Sequence, residues 1–247
     1  MRQLNVLAPL LKFVTLGILL SACGNAPGEG VADGPYSDGP ASQGGTGRYY
    51  MGREIAHVMS YKGADWLERS TREQEERADL SVARLPLAEN ATVADIGAGS
   101  GYFSRRIARR IPDGTVFAVD IQPEMLAILE QNSAAEGIGN IQTVLAAEKS
   151  LNLAPASIDL ALFVDVYHEL SWPREIMLDL VDSLKAGGKV VLLEYRAEDP
   201  SIQIIPVHKM TSAQVILEME QVGLELVENG DFLPQQHFLV FRKPNAE

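Results

Sequence analysis

Residues 93–110 read VADIGAGSGYFSRRIARR: an apolar run carrying Asp95, glycines at 97, 99 and 101, then an amphipathic helical pattern. Glycine at every second position after a strand means that something comes very close to the backbone, since each missing Cβ removes a collision and frees positive φ. Two nucleotide loops do not match. The dinucleotide fingerprint GxGxxG places its third glycine where Tyr102 stands, and Gly101 falls one residue early. A phosphate loop needs a Lys-Ser/Thr pair after its last glycine, and this turn has none.

Outward from the turn, strand and helix patterns alternate. TVADIG (92–97), TVFAVD (115–120), IQTVLA (141–146), SIDLALFVDV (157–166) and GKVVLLEYR (188–196) read as strands, with helices opening at Pro123 and Pro173 between them. Thr211 and Gln214 form a capping pair ahead of another helix, and LELVENG (224–230) and QHFLVFRK (236–243) close the chain as two strands. Such alternation predicts an α/β fold: a mostly parallel sheet with helices on both faces and a ligand site beyond the carboxyl ends of the strands.

The net charge of −12 disfavours a nucleic-acid partner, because phosphate recognition needs a basic surface. The arginines of RRIARR (105–110) are expected to form a solvated helix face. The N-terminus reads differently from the rest. Basic Arg2 and Lys12, the apolar run Phe13–Leu20 and small residues follow the order of a secretory signal, too short to span a bilayer. Leu20-Ser21-Ala22-Cys23 resembles the bacterial lipobox, which implies cleavage after residue 22 and a lipid on Cys23, the single cysteine of the chain. Residues 1–22 are thus expected to be a lipoprotein signal peptide and the mature protein to be lipid-anchored in the cell envelope on the periplasmic side. Gly24, rather than Asp, favours the outer membrane of a Gram-negative cell. Residues 23–47, with eight glycines and three prolines from Gly24 on, read as a flexible tether. REIAHVMS (53–60) and the charged run from Gly63 to Leu85 read as a helical lid or extension over 48–90, leaving 91–247 as the main domain.

The series Asp-Ile-Gly-Ala-Gly-Ser-Gly, with the strands that follow it, resembles the class I S-adenosylmethionine-dependent methyltransferases. The resemblance implies a Rossmann-like three-layer αβα fold, a seven-stranded sheet with the last strand antiparallel, and S-adenosyl-L-methionine as cofactor. It places Asp95, Gly97, Ala98, Gly99, Gly101 and Tyr102 around the cofactor's methionine and ribose portions. Asp120 ends the second strand, where it can accept hydrogen bonds from both ribose hydroxyls; Ile121 follows as an apolar contact for adenine. Asp165 lies at the tip of the fourth strand, facing the cofactor. After the third strand this chain has Ala146 and Ala147 where many relatives carry an acidic adenine partner, so Glu148 is the candidate there.

Methyl transfer is an in-line displacement, so an enzyme aligns the nucleophile and takes up its proton. His168 in DVYHEL, flanked by Tyr167 and Glu169, is a candidate base after the fourth strand. Glu194 at the end of the fifth strand and His208 in PVHKMT are further catalytic candidates. No metal is expected: Glu194-Tyr195 does not match the Asp-Asn pair that metal-dependent catechol-type O-methyltransferases place there. No Asp/Asn-Pro-Pro-Tyr follows the fourth strand, which argues against amino methylation of nucleobases. The reading is an enzyme that methylates oxygen or nitrogen of a small-molecule or lipid-like acceptor. The alternative is an exported, non-catalytic binding or envelope-associated module that retains the fold, because S-adenosylmethionine is made in the cytoplasm.

Overall fold

The computed structural model describes residues 34–245. The signal segment, Cys23 and the first part of the expected tether lie outside the described residues. From Tyr36 onward the expected tether and the first turns of the expected helical segment are instead an antiparallel three-stranded sheet of β1 (Tyr36–Asp38), β2 (Gly45–Tyr50) and β3 (Arg53–Ala56), joined in the order β1-β2-β3. Glycine here serves turns rather than disorder: Gly44, Gly47 and Gly52 all adopt positive φ, at 82°, 74° and 87°. The Glu54 carboxylate ties the hairpin internally by accepting the backbone N–H groups of Ser42 and Gly47. Tyr36, Tyr50 and Ile55 form a small core of their own. The spacing of Ile55, Val58 and Met59 imitates a helix, yet Ile55 is buried in a strand while Val58 and Met59 turn toward a cavity described below. Tertiary burial overrides the local pattern at this point.

Helix begins further on, with the short helices α1 (Ala64–Leu67), α2 (Arg72–Glu76) and α3 (Ala78–Arg84). The alternating region then unfolds in chain order as β4 (Thr92–Ile96), α4 (Tyr102–Arg110), β5 (Thr115–Asp120), α5 (Pro123–Ala135), β6 (Ile141–Leu145), β7 (Ile158–Val164), α6 (Pro173–Ser183) and β8 (Leu184–Leu193). It ends with α7 (Ser212–Glu220), β9 (Glu225–Gly230) and β10 (Phe238–Arg242). The Thr211 hydroxyl caps α7 by accepting the Gln214 N–H at 3.1 Å, as the capping pair predicts.

The large sheet has seven strands in the order β6-β5-β4-β7-β8-β10-β9. β10 runs antiparallel to both its neighbours, whereas β6, β5, β4, β7 and β8 are mutually parallel. Strand alternation divides the core into two layers. Val93, Leu160, Leu162, Val191 and Leu193 point to the side of α3 and α4, while Ala94, Ala161, Phe163, Val190 and Leu192 meet α6 and α7. The chain travels outward through β4, β5 and β6, then returns to the other side of β4 as β7, so the strand order reverses beside β4 and leaves a crevice at the carboxyl edge. Among the described residues no helix is long and apolar enough to cross a membrane.

RRIARR is not uniformly solvated. Arg105 is buried and paired with Glu68 at 2.9 Å, while Arg106 binds Asp79 and Arg109 binds Glu136. These arginines are committed to acidic partners and make no free basic groove.

Candidate functional site

One cavity of about 450 Å³ opens at the carboxyl edge, walled by the tips of β4, β5, β7 and β8 and roofed by Val58, Met59, Trp66 and Leu67. Asp120, at the end of β5, lies at its floor. One carboxylate oxygen accepts the Gly99 N–H and the other the Gln122 N–H, each at 2.9 Å. Burial raises the Asp120 pKa, and these two N–H groups oppose the rise. Ile121 stands beside it on the cavity wall, 46 % exposed although apolar. Glu148, after β6, also reaches the wall from an exposed position.

The glycine turn is crowded by the chain itself. Gly97, Gly99 and Gly101 have φ of 68°, 54° and 83°. A Cβ on Gly97 would lie 2.3 Å from Val166, one on Gly99 2.8 Å from Leu67, and one on Gly101 2.6 Å from Leu129. Gly97 and Gly99 also face the cavity, whereas Gly101 serves the junction with α5. Asp95, Ala98 and Tyr102 line a small adjoining cavity of about 30 Å³ instead of the main one.

Asp95 accepts the Ser104 hydroxyl at 2.5 Å, and burial pushes its pKa up to about 6. The folded-state value therefore exceeds the unfolded one, and the folded chain holds the extra proton between about pH 4 and 6. Stability from Asp95 is fully present below that window and is lost as pH rises through it, a cost of about 3 kcal/mol. Asp95→Asn is expected to flatten this decline. The difference in urea unfolding free energy between variant and wild type should change by about 2–3 kcal/mol from pH 4 to pH 7. A pH-independent difference would show that Asp95 has an ordinary pKa.

Asp165 follows β7 with φ of 51°, a conformation costly for a non-glycine residue and held by its N–H bond to the Leu193 carbonyl. Its Oδ2 accepts from Gln236 at 2.6 Å, while Oδ1 is buried without a partner. Burial, then the charges of Glu76 and Glu194, raise its pKa well above its ordinary value. Arg72 brings a guanidinium to both cavities and is held by Glu76 at 2.8 Å and the Leu67 carbonyl at 2.8 Å. Tyr195 donates to the same Glu76, so the α2 segment is pinned to the end of β8.

The cavity wall also carries a polar chain. Glu194 is fully buried, accepting the Tyr167 N–H on Oε1 at 2.8 Å and facing His168 Nδ1 with Oε2 at 2.6 Å. His168 Nε2 lies 3.0 Å from His208 Nδ1, and Glu169 Oε1 lies 3.4 Å from the same His208 nitrogen. His168, Glu169 and His208 line the cavity, with Glu194 behind them. The three catalytic candidates thus converge, although they come from turns separated by the whole of α6 and β8. A carboxylate on Nδ1 selects the tautomer that leaves His168 Nε2 as a lone pair.

One wall residue escapes the sequence reading. Arg72 forms an (i, i+4) pair with Glu76, which in sequence looks like one more solvated pair among many charges, but both side chains are buried. Glu169, in sequence only a weaker candidate flanking His168, stands on the cavity wall beside His208.

Comparisons with known proteins bear on the family and the fold. Residues 93–188 match the family described as Methyltransferase domain. A Mycobacterium bovis protein named as an O-methyltransferase is 32% identical over 157 residues, covering 59% of this chain and 68% of that protein. The tRNA U34 carboxymethyltransferase of Desulfotalea psychrophila is 30% identical over 113 residues, and the match spans 44% of this chain and only 33% of that protein's length. In structure, a SAM dependent methyltransferase from Aquifex aeolicus superposes with a TM-score of 0.72 at 19% identity, covering 75% of this chain and all of that one (100%). The [4+2]-cyclase SpnF shares the architecture with a TM-score of 0.60 at 16% identity, over 69% of this chain and 80% of that one. The fold by itself therefore does not name the reaction.

Proposed function

The chain belongs to the class I S-adenosylmethionine-dependent methyltransferases, with S-adenosylmethionine as cofactor, and from that premise we propose that it methylates an oxygen of a small-molecule or lipid-like acceptor. Nitrogen is the second choice of nucleophile; the O-methyltransferase name of the M. bovis relative favours oxygen.

The residues present fit the cofactor. Each Asp120 oxygen uses one lone pair on a backbone N–H and retains capacity for a ribose hydroxyl. Ile121 offers an uncovered apolar surface next to it, and Asp165 belongs to the same cavity wall. Glu148 is the acidic group nearest in sequence to the expected adenine position. When bound, S-adenosylmethionine supplies an electrophilic methyl group on a sulfonium.

The chain's own part is alignment and exclusion of water. The observation that carries the reading is one cavity whose wall holds both a ribose-type carboxylate, Asp120, and the His168–His208 pair backed by Glu194. His208 is the group that receives the acceptor's hydrogen bond, because both His168 nitrogens are engaged, Nε2 by His208 and Nδ1 by buried Glu194, which holds the His168 ring in place. Met59, Trp66 and Leu67 cover the cavity with apolar surface, which strengthens those polar contacts.

Calorimetry of the full chain with S-adenosylmethionine and its demethylated product tests the reading. Binding in the micromolar range is expected, followed by transfer of radiolabelled methyl to an envelope extract. No binding at millimolar concentration overturns it. Binding without turnover over a broad acceptor panel points instead to the exported, non-catalytic module.

A further inference from the structure

We propose that His168 Nε2, His208 Nδ1 and Glu169 Oε1 form a binding site for a first-row divalent transition metal, open toward the cavity. The three atoms lie within 4.8 Å of one another, with separations of 3.0 Å between the nitrogens, 3.4 Å from His208 to Glu169 and 3.9 Å from His168 to Glu169. A metal bound at about 2.0–2.2 Å sets its ligands about 2.9–3.5 Å apart in octahedral or tetrahedral geometry, so a few tenths of an ångström of adjustment would close the triangle on an ion. Two imidazoles and one carboxylate match the borderline ligand preference of zinc, iron(II) and cobalt(II) rather than magnesium or calcium.

The surroundings support the ligand set independently of these separations. Glu194 Oε2 lies 2.6 Å from His168 Nδ1, the carboxylate–histidine–metal relation that orients a ligating imidazole and leaves Nε2 as its lone pair. Glu194 is itself held by the Tyr167 N–H at 2.8 Å. Glu169 is held in the same manner: its Oε2 accepts the Met59 N–H at 3.1 Å, which leaves Oε1 turned toward the two rings. The carboxylates of Glu169 and Glu194 together balance a dication. All three ligands belong to the cavity wall, so the remaining coordination positions face the space assigned to the acceptor. An acceptor oxygen would complete the shell there, which restricts acceptors to those offering an oxygen donor. That use of the ion rests on the methyltransferase reading; its binding does not.

The full chain, stripped with chelator and reloaded with cobalt(II) or zinc(II) alone, tests the proposal. One equivalent of metal is expected by elemental analysis, with visible cobalt absorption and micromolar affinity or tighter. Glu169→Gln and His208→Ala should each remove stoichiometric uptake, and Glu194→Gln should weaken it about 10–100-fold by freeing the His168 ring. His237→Ala, at a histidine outside the cavity wall, should leave uptake intact. Substoichiometric metal in the wild type, or full uptake by the Glu169→Gln/His208→Ala double variant, overturns the proposal. S-adenosylmethionine calorimetry on the same samples separates the two readings. Cofactor binding without metal uptake overturns only the metal site, and metal uptake without cofactor binding overturns only the proposed function.

Discussion

Asp120→Ala is expected to weaken S-adenosylmethionine binding by about 100-fold or more while the chain stays folded. Two hydrogen bonds from ribose hydroxyls to an ionised carboxylate contribute about 1.5–3 kcal/mol each, and about 1.4 kcal/mol is tenfold in affinity. The substitution also removes the acceptor of the Gly99 and Gln122 N–H groups, which shape the turn under the cofactor and the start of α5. Unfolding free energy should therefore fall as well, by about 1–3 kcal/mol. Asp120→Asn separates the two roles. Its amide has one acceptor oxygen, so it can serve Gly99 or Gln122 but not both, and its NH₂ cannot accept from a ribose hydroxyl. Calorimetric titration and urea unfolding of both variants provide the check. A change in affinity below about fivefold, alongside the stability loss, would show that Asp120 is an anchor of the turn and not a ribose partner.

Arg53→Met should cost about 3–5 kcal/mol of stability, the penalty for leaving a buried charge without its partner. Arg53 on β3 makes a two-pronged pair with Glu218 on α7: Nε to Oε1 at 2.9 Å and Nη2 to Oε2 at 3.0 Å. Glu218 is fully buried, and Gln214 would remain its one side-chain donor among the described contacts. The same guanidinium donates to the His168 carbonyl at 3.2 Å, so the loss is also felt at the histidines of the cavity wall. The double variant Arg53→Met/Glu218→Leu should recover most of the stability, because it removes both charges and replaces them with apolar volume. Urea unfolding of the two single variants and the double variant gives the coupling energy directly. A loss below about 1 kcal/mol for Arg53→Met would mean that the hairpin sheet docks without this pair.

Much of the parallel sheet was legible because its signals are local. An apolar strand, a glycine turn and an amphipathic helix are contiguous from Val93 to Arg110, and every strand tip that follows is marked by a change of residue type. Asp120 and Asp165 could be placed at the cavity edge for that reason. The glycines were legible as points of close approach, but not in what approaches: Val166, Leu67 and Leu129 come from three separate segments. The hairpin sheet was misread, since glycine-rich sequence signals flexible chain unless its strands bury something. Here Tyr36, Tyr50 and Ile55 do, with Tyr36 and Arg48 packed against Trp172 from the α6 region. Arg105 was misread for the same reason, its partner Glu68 lying in the extension.

By itself the amino-acid sequence determined the order of strands and helices from β4 onward, the glycine turn after β4 and the carboxylates at the strand tips. Periodicity and turn chemistry act over a few residues and need no distant partner. Only the tertiary structure decided that His168, Glu169, Glu194 and His208 form one cluster, that Arg72 reaches the cavity, and that a hairpin sheet is locked to α7 through Arg53. Those contacts join residues far apart in the chain. Desolvation and charge pairing at such contacts depend on the packed fold rather than on neighbours in sequence.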